Sequence, residues 1–90
     1  MLIEFDAAKR QATLEQRGLD FADAALVFGG RDMTGEDARA DYGEPRFITI
    51  GPLHGRLVVI VWTPRGAARR VISMRKANER EETRYARSVG

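Results

Sequence analysis

The segment that decides the fold is RFITIGPLHGRLVVIVWTPRGAARRVISMRK, residues 46–76. It contains three runs rich in β-branched and aromatic residues, at residues 46–50, 56–63 and 68–74. Turn-forming residues fill the two breaks, at residues 51–55 and 64–66. We therefore predict an antiparallel β-meander, and its middle strand is apolar on both faces, which indicates that both are covered.

The third run of the meander carries most of its basic side chains. In a regular strand successive side chains face opposite sides. One face should therefore carry Arg69, Val71, Ser73 and Arg75, and the other Arg70, Ile72 and Met74. This arrangement predicts one packed face and one face that presents cations.

Helices are predicted before the meander. Asp6 is a suitable N-cap for a helix over residues 7–17, which Gly18 would end in the left-handed conformation. Asp20 repeats the capping pattern before a second short helix. That helix would bury a stripe at i, i+3, i+4 and i+7, namely Phe21, Ala24, Ala25 and Phe28.

The remaining segments complete an α+β prediction. The N-terminus, with Leu2, Ile3 and Phe5, predicts a short strand or a hydrophobic lead-in, and residues 31–45 predict a loop with a possible strand near residues 32–34. Asn78 and Glu81 form a capping box, which predicts a helix from about residue 79 towards residue 88. The expected fold has two N-terminal helices, an antiparallel meander of three to four strands and a short C-terminal helix.

Composition narrows the classes of function. Ninety residues predict a single domain over residues 1–90, with no membrane segment and a cytoplasmic location. The chain has no cysteine and one histidine, which argues against disulfides, thiolate metal sites and Ser-His-Asp catalysis. Residues 65–90 hold eight basic and three acidic residues, a charge of +5, whereas residues 1–64 carry −3. A basic C-terminal part favours a polyanionic partner, nucleic acid first.

Three motifs run along the chain. The N-terminal motif comprises Ile3, Glu4, Phe5, Asp6 and Lys9, then Arg17, Gly18, Leu19, Phe21 and Ala24. The central motif comprises Tyr42, Gly43, Glu44, Arg46, Ile50 and Gly51, then Gly55, Arg56, Leu57, Thr63 and Arg65. The last and most specific motif comprises Arg70, Ile72, Ser73, Arg75, Ala77, Glu81 and Tyr85. Together they resemble the BrnT family of toxins from type II toxin–antitoxin modules.

The resemblance implies a RelE-like fold and a ribonuclease activity that shuts down translation. It also implies neutralisation by a BrnA-like ribbon-helix-helix antitoxin, with operator DNA bound only through the antitoxin complex. We expect the endoribonuclease to need no metal and no cofactor. The chain departs from the family at Thr13, where many members have asparagine, and at Gln16 and Arg17, where they have Lys-His. Since an arginine cannot replace a histidine as a base, these departures could weaken the activity.

Ten residues are candidates for the site. The catalytic candidates are Arg75, Arg70, Glu44, Glu81 and Tyr85, and the RNA-binding candidates are Lys9, Arg46, Arg65, Arg69 and Lys76. Arg75 could stabilise the charge that builds on the phosphate during cleavage, or pair with Glu81 to fix the last helix. Glu81 could act as a general base or only as a capping residue. Tyr85 could stack on a base or fill the rim of the core.

Two other functions stay open from the sequence. The first is a non-catalytic basic module that binds the acidic segment of an antitoxin, with activity lost through the departures at Thr13 and Arg17. The second is a general RNA-binding domain. Toxicity on expression separates the ribonuclease from the first alternative, and salt-dependent RNA binding without cleavage would indicate the second.

Overall fold

The structure, a computed structural model, describes residues 1–89. Its strands are β1 (Leu2–Glu4), β2 (Met33–Glu36), β3 (Phe47–Leu53), β4 (Arg56–Arg65) and β5 (Ala68–Lys76). Its helices are α1 (Ala7–Arg17), α2 (Ala24–Val27), which follows a 3-10 turn at Phe21–Asp23, and α3 (Glu79–Val89). In this part of the chain no helix is long and apolar enough to cross a membrane.

The strands form one mixed sheet in the order β1-β5-β4-β3-β2. Strand β1 is parallel to β5, and the other neighbours are antiparallel. The α+β class and the central meander are confirmed. The sheet has five strands rather than three or four, because the N-terminal segment adds β1 at one edge and the segment after α2 adds β2 at the other.

Two predicted turns are shorter in the structure. Strand β3 continues to Leu53, and the turn is confined to His54 and Gly55, whose φ angles of 49° and 81° suit a two-residue hairpin loop. Gly51, predicted in the turn, instead lies inside β3, where an added Cβ would lie 2.7 Å from Cγ1 of Val27. Strand β4 likewise extends to Arg65, two residues beyond the predicted end.

A β-bulge in β5 changes which side chains share a face. The register with β4 shifts between Val61 and Trp62, and Ile72 becomes the residue without a partner. Val71 and Met74 are consequently both buried in the same core. The predicted alternation, which placed these two residues on opposite faces, is wrong because it assumed a regular strand.

The same bulge brings two arginines to one face. Arg70 pairs with Thr63, and Arg75 pairs with Val59. Thr63 and Val59 are four residues apart on β4, and residues an even number apart share a face of a strand. Arg70 and Arg75 therefore lie on the same face of the sheet, although the unbroken alternation predicted opposite faces.

The N-terminal helices follow their predicted caps. The Asp6 side chain accepts a hydrogen bond of 3.0 Å from the Lys9 backbone N–H, and Gly18 ends α1 with a φ of 69°. The second predicted helix instead begins as the 3-10 turn at Phe21–Asp23. Because a 3-10 turn has three residues per turn, the buried face shifts. The buried residues of this segment are Phe21, Ala24, Val27 and Phe28, whereas Ala25 is exposed.

The sheet has two differently covered faces. The first face packs against α1, the 3-10 turn and α2, and holds the main core with residues such as Phe21, Val58, Ile60, Trp62, Val71 and Met74. The second face carries Ile48, Ile50, Val59 and Val61, as the cross-strand pairing shows. Helix α3 lies over β2 and β3 on this face and leaves part of the sheet open.

Candidate functional site

A groove of about 420 Å³ lies on the second face of the sheet, between the segment that follows β2 and helix α3. We call it the Arg75 groove. Its residues from β3, β4 and β5 are Ile48, Val59, Val61, Ser73 and Arg75. Its other charged residues are Glu36, Asp37, Arg39, Glu81 and Arg84. An apolar floor thus lies beside three arginines and three carboxylates.

Arg75 is held at the groove by a carboxylate of α3. Its Nη1 and Nη2 atoms donate hydrogen bonds of 2.7 Å each to the two carboxylate oxygens of Glu81. The predicted capping box also forms, with 2.9 Å hydrogen bonds from the Asn78 N–H to Glu81 and from the Glu81 N–H to the Asn78 side chain. Glu81 therefore positions Arg75 and the start of α3 at the same time.

These contacts affect the acid–base properties of Glu81. The hydrogen bonds from Arg75 lower the pKa of Glu81 below its ordinary value, against an opposing contribution from burial. The same pairing raises the pKa of Arg75, which keeps the guanidinium charged. A carboxylate with a lowered pKa is a weaker base, so the geometry favours a positioning role for Glu81.

A second ion pair forms the opposite wall of the groove. The side chain of Asp37 is 1% exposed and accepts hydrogen bonds of 2.7 and 2.8 Å from Arg39. The Tyr42 hydroxyl donates to the same carboxylate at 3.3 Å. The hydrogen bonds from Arg39 lower the pKa of Asp37 to about 2. Asp37 is therefore ionised, and its charge is balanced by Arg39 within the same wall of the groove.

Glu44 lies in a neighbouring cluster. Its carboxylate oxygens are 3.6 Å from Nε of Arg46 and 3.7 Å from Nη2 of Arg65. The Arg46 guanidinium also lies 4.1 Å from the centre of the Tyr42 ring. The structure therefore brings three predicted site residues together, but Glu44 is not among the residues that line the Arg75 groove.

Arg70 and Tyr85 are each engaged elsewhere. Nη1 of Arg70 donates to a Glu4 carboxylate oxygen at 3.0 Å, across the β1–β5 pairing. The Tyr85 hydroxyl donates to the backbone carbonyl of Arg31, and Nη2 of Arg31 donates to the carbonyl of Val89 at 2.7 Å. Tyr85 therefore anchors the later turns of α3 to the segment before β2, away from Arg75.

None of the five predicted RNA-binding residues lines the groove, and three of them also lie apart from the cluster of Glu44, Arg46 and Arg65. The Arg69 guanidinium lies 4.2 Å from the Trp62 ring centre and 4.6 Å from that of Phe28, on the first face of the sheet. Lys76 is exposed and pairs with Val58, a residue of the main core. Lys9 is exposed on α1.

Arg17, at a position where the family resemblance expects histidine, has a structural contact. Its Nη1 atom donates a hydrogen bond of 2.9 Å to the backbone carbonyl of Met74. The contact joins the end of α1 to β5 beyond the residues that pair with β1. This side chain is therefore placed to stabilise the sheet edge rather than to accept a proton.

Sequence reasoning missed four charged groove residues, Glu36, Asp37, Arg39 and Arg84. The first three stand in a polar stretch that predicts a loop, and no spacing in that stretch distinguishes a buried carboxylate from a solvated one. Within residues 1–89, no group of three or more histidine, aspartate or glutamate side chains could hold a metal ion.

Comparison with known proteins gives the family. A search of curated proteins gave no significant match. The family model described as "Ribonuclease toxin, BrnT, of type II toxin-antitoxin system" matches residues 5–81, which include the floor of the Arg75 groove and the Arg75–Glu81 pair. This match covers well over half of the sequence, and the chain therefore belongs to the BrnT family of ribonuclease toxins of type II toxin–antitoxin systems.

Proposed function

We propose that the protein is a metal-independent endoribonuclease toxin that inhibits translation by cleaving RNA in the Arg75 groove. Family membership implies RNA as the substrate and an antitoxin as the partner. The observation that carries the proposal is the Arg75 guanidinium, whose two terminal nitrogens already bind a carboxylate in bidentate geometry. A phosphate presents a similar pair of oxygens to the same planar fork.

In this mechanism the scissile phosphate takes the place of the Glu81 carboxylate on Arg75. The ribose 2′-hydroxyl loses its proton as its oxygen bonds to phosphorus, and the bond from phosphorus to the 5′-oxygen breaks. The leaving 5′-oxygen takes up a proton, so that the products are a 2′,3′-cyclic phosphate and a 5′-hydroxyl. Arg75 stabilises the negative charge that grows on the phosphate oxygens during this step. Arg84 lines the same groove and adds positive potential, whereas the charge of Arg39 is balanced by Asp37.

Within residues 1–89, the groove has no side chain that is well suited to transfer protons. Among the candidate bases, Glu81 has a lowered pKa, and the Tyr85 hydroxyl donates a hydrogen bond to a backbone carbonyl. Glu44 lies in the adjacent cluster with Arg46 and Arg65. We therefore expect slow turnover, unless the RNA or the ribosome supplies proton-transferring groups.

The other basic candidates would bind flanking phosphates. Arg70 shares a face of the sheet with Arg75, which supports an extended path for the RNA backbone. Arg46 and Arg65 would continue it, and Lys9, Arg69 and Lys76 would add sequence-independent attraction from other surfaces.

The proposal also covers the antitoxin partner and the cellular location. We propose that the whole chain, residues 1–90, acts as one RelE-like toxin domain in the cytoplasm. A BrnA-like ribbon-helix-helix antitoxin would neutralise it by covering its basic groups with carboxylates, and operator DNA would be bound through the antitoxin complex.

The proposal is tested by expressing the chain alone from a tightly controlled promoter. Wild type should arrest growth and should cleave RNA in the presence of EDTA. Arg75→Ala should lower the cleavage rate by about 100-fold or more, since the loss of one charge-stabilising donor has an effect of that order. Arg80→Ala is the matched control, because Arg80 is exposed and is not a lining residue of the groove.

Two results would count against the mechanism. A folded Arg75→Ala variant that remains fully toxic would remove Arg75 from catalysis. Cleavage that disappears with EDTA and returns with magnesium would overturn the metal-independent step. Circular dichroism establishes whether each variant is folded.

One observation favours the non-catalytic alternative. Two of the three groove arginines, Arg75 and Arg39, are already paired with carboxylates of the same chain. Catalysis requires a guanidinium that is free to contact the reacting phosphate, whereas a protein that only binds RNA or an antitoxin does not. Wild-type protein that binds RNA or antitoxin without cleaving RNA would support this alternative.

A further inference from the structure

Ser73 lines the Arg75 groove close to Arg75 itself. It lies on β5, two residues before Arg75 and opposite Val61 of β4. Arg75 lies opposite Val59, two residues from Val61 on the same strand. Ser73 and Arg75 therefore share the second face of the sheet, with Cα atoms roughly 6.6 Å apart.

The bulge at Ile72 allows this placement beside a packed core. In a regular strand Val71 and Ser73 would face the same side, because they are two residues apart. Val71 is instead buried in the main core, whereas Ser73 lines the groove on the opposite face. A β-bulge next to a functional site commonly redirects a side chain in this way. The bulge thus directs Ser73 into the groove.

The Ser73 hydroxyl is a neutral polar group beside an apolar surface. Its neighbours on the floor of the groove are Ile48, Val59 and Val61. Within residues 1–89 the hydroxyl makes no hydrogen bond, and its oxygen is not a buried atom. Ligand sites typically combine an apolar lining with a few polar groups that fix the orientation of the ligand. The hydroxyl is therefore available to a ligand in the groove.

The charged donors of the groove are less readily available. Arg75 and Arg39 each donate hydrogen bonds to a carboxylate of the same chain, which an incoming phosphate has to replace. Arg84 is exposed on α3, and ordering its long side chain costs rotamer freedom. Ser73 has a short side chain on a strand, so it loses little freedom when it contacts a ligand.

The surroundings of the hydroxyl indicate a role as a hydrogen-bond donor. A serine acts as a nucleophile when an adjacent base takes its proton, and the Ser73 hydroxyl has no such partner within residues 1–89. It can instead donate to a phosphate oxygen, on which negative charge grows as the 2′-oxygen attacks. Beside apolar side chains such a hydrogen bond is stronger than in water.

We propose that Ser73 is a further catalytic residue of the groove, whose hydroxyl donates a hydrogen bond to a non-bridging oxygen of the scissile phosphate on Arg75. The hydrogen bond strengthens as charge grows on that oxygen, so Ser73 acts mainly on the chemical step. This inference rests on the proposed function, because it takes RNA cleavage in the groove as the reaction. It adds a donor that does not first have to leave a carboxylate.

The test measures the chemical step and RNA binding separately. Single-turnover cleavage with excess protein gives the rate, and fluorescence anisotropy with 2′-O-methyl RNA, which lacks the attacking hydroxyl, gives the affinity. Ser73→Ala should slow cleavage by about tenfold to 100-fold, towards the effect of removing one donor from an oxyanion hole. Its affinity should change by less than about threefold, because the hydroxyl only exchanges a hydrogen bond to water for one to the phosphate.

The matched control is Ser88→Ala, the same replacement on α3 outside the Arg75 groove, which should cleave RNA at the wild-type rate. Circular dichroism should give Ser73→Ala the melting temperature of wild type, since the hydroxyl has no hydrogen-bond partner in residues 1–89.

Sulfur substitution of the scissile phosphate separates a direct contact from a structural effect. Sulfur is a weaker hydrogen-bond acceptor than oxygen. One of the two phosphorothioate diastereomers, in which sulfur replaces the oxygen that Ser73 contacts, should therefore slow wild type and Ser88→Ala more than it slows Ser73→Ala.

The proposal is overturned if Ser73→Ala cleaves RNA at the wild-type rate, loses affinity as strongly as it loses rate, or responds to both diastereomers as wild type does. Wild-type cleavage that is lost in Arg75→Ala would leave the proposed ribonuclease intact in each of these cases. A wild-type protein that cleaves no RNA would instead refute the proposed function, and the role of Ser73 with it.

Discussion

Replacement of Glu81 by glutamine tests whether the carboxylate competes with RNA for Arg75. Glutamine keeps the shape of the side chain and can still accept the hydrogen bond from the Asn78 N–H, so the capping box is retained. The negative charge that neutralises Arg75 is removed. We expect Glu81→Gln to bind RNA more tightly than wild type, because the phosphate no longer has to displace a charged partner.

The size of the effect follows from the exposure of the pair. The Arg75 side chain is 43% exposed and that of Glu81 is 16% exposed, with a shortest distance of 2.7 Å. Solvent screens such a pair, and its favourable bidentate geometry places it near the upper end of the range for exposed ion pairs, about 1 kcal/mol. That free energy corresponds to roughly a fivefold decrease in Kd.

The assay is fluorescence anisotropy with an uncleavable 2′-O-methyl RNA at low and at moderate salt. Glu82→Gln is the control, because Glu82 is the exposed neighbour of Glu81 and its replacement changes the net charge equally. The difference between the two variants should shrink as salt rises. Equal affinities at low salt would show that Glu81 does not compete with RNA and would refute the assignment of the Arg75 fork to phosphate.

Two further predictions concern stability. Gly51→Ala should lower the free energy of unfolding by about 1–3 kcal/mol, because the new Cβ would lie 2.7 Å from Cγ1 of Val27. Urea denaturation measures this change. An unchanged denaturation midpoint would contradict the close packing of Gly51 against Val27. Hydrogen bonds from Arg10 lower the pKa of Asp20 from 3.8 to about 2, so the pair stabilises the fold above pH 4 and its contribution is lost as the pH falls towards 2. Between pH 4 and pH 2, the melting temperature of Asp20→Asn should therefore fall less than that of wild type. Equal falls in melting temperature for the two proteins would argue against a stabilising pair.

Much of the fold follows from local sequence signals. The cap at Asp6, the glycine at position 18 and the capping box of Asn78 and Glu81 each specify a helix end through hydrogen bonds within a few residues. The meander follows from the apolar β-branched runs. The lengths of the turns were harder to predict, because Gly51 is needed for close packing against Val27, a contact that sequence spacing does not reveal.

The candidate site was predicted less completely. The resemblance to the family singled out Arg75 and Glu81, and the geometry pairs them. Asp37 was missed because its burial depends on a segment folding over the sheet, and its partner Arg39 is only two residues away. The charge of Arg69 predicts a contact with RNA, but its guanidinium lies over the aromatic rings of Phe28 and Trp62 on the core face. Charge in a sequence does not specify which side of a sheet a residue occupies.

The bulge at Ile72 has a consequence for how this strand tolerates changes in length. Arg70 and Arg75 are five residues apart on β5, but their partners Thr63 and Val59 are only four apart on β4. A chain one residue shorter between the two arginines would pair with β4 without interruption and would still present both on one face. Relatives that differ by this single deletion can therefore share the same arrangement of arginines, and an alignment of β5 should allow a gap at Ile72.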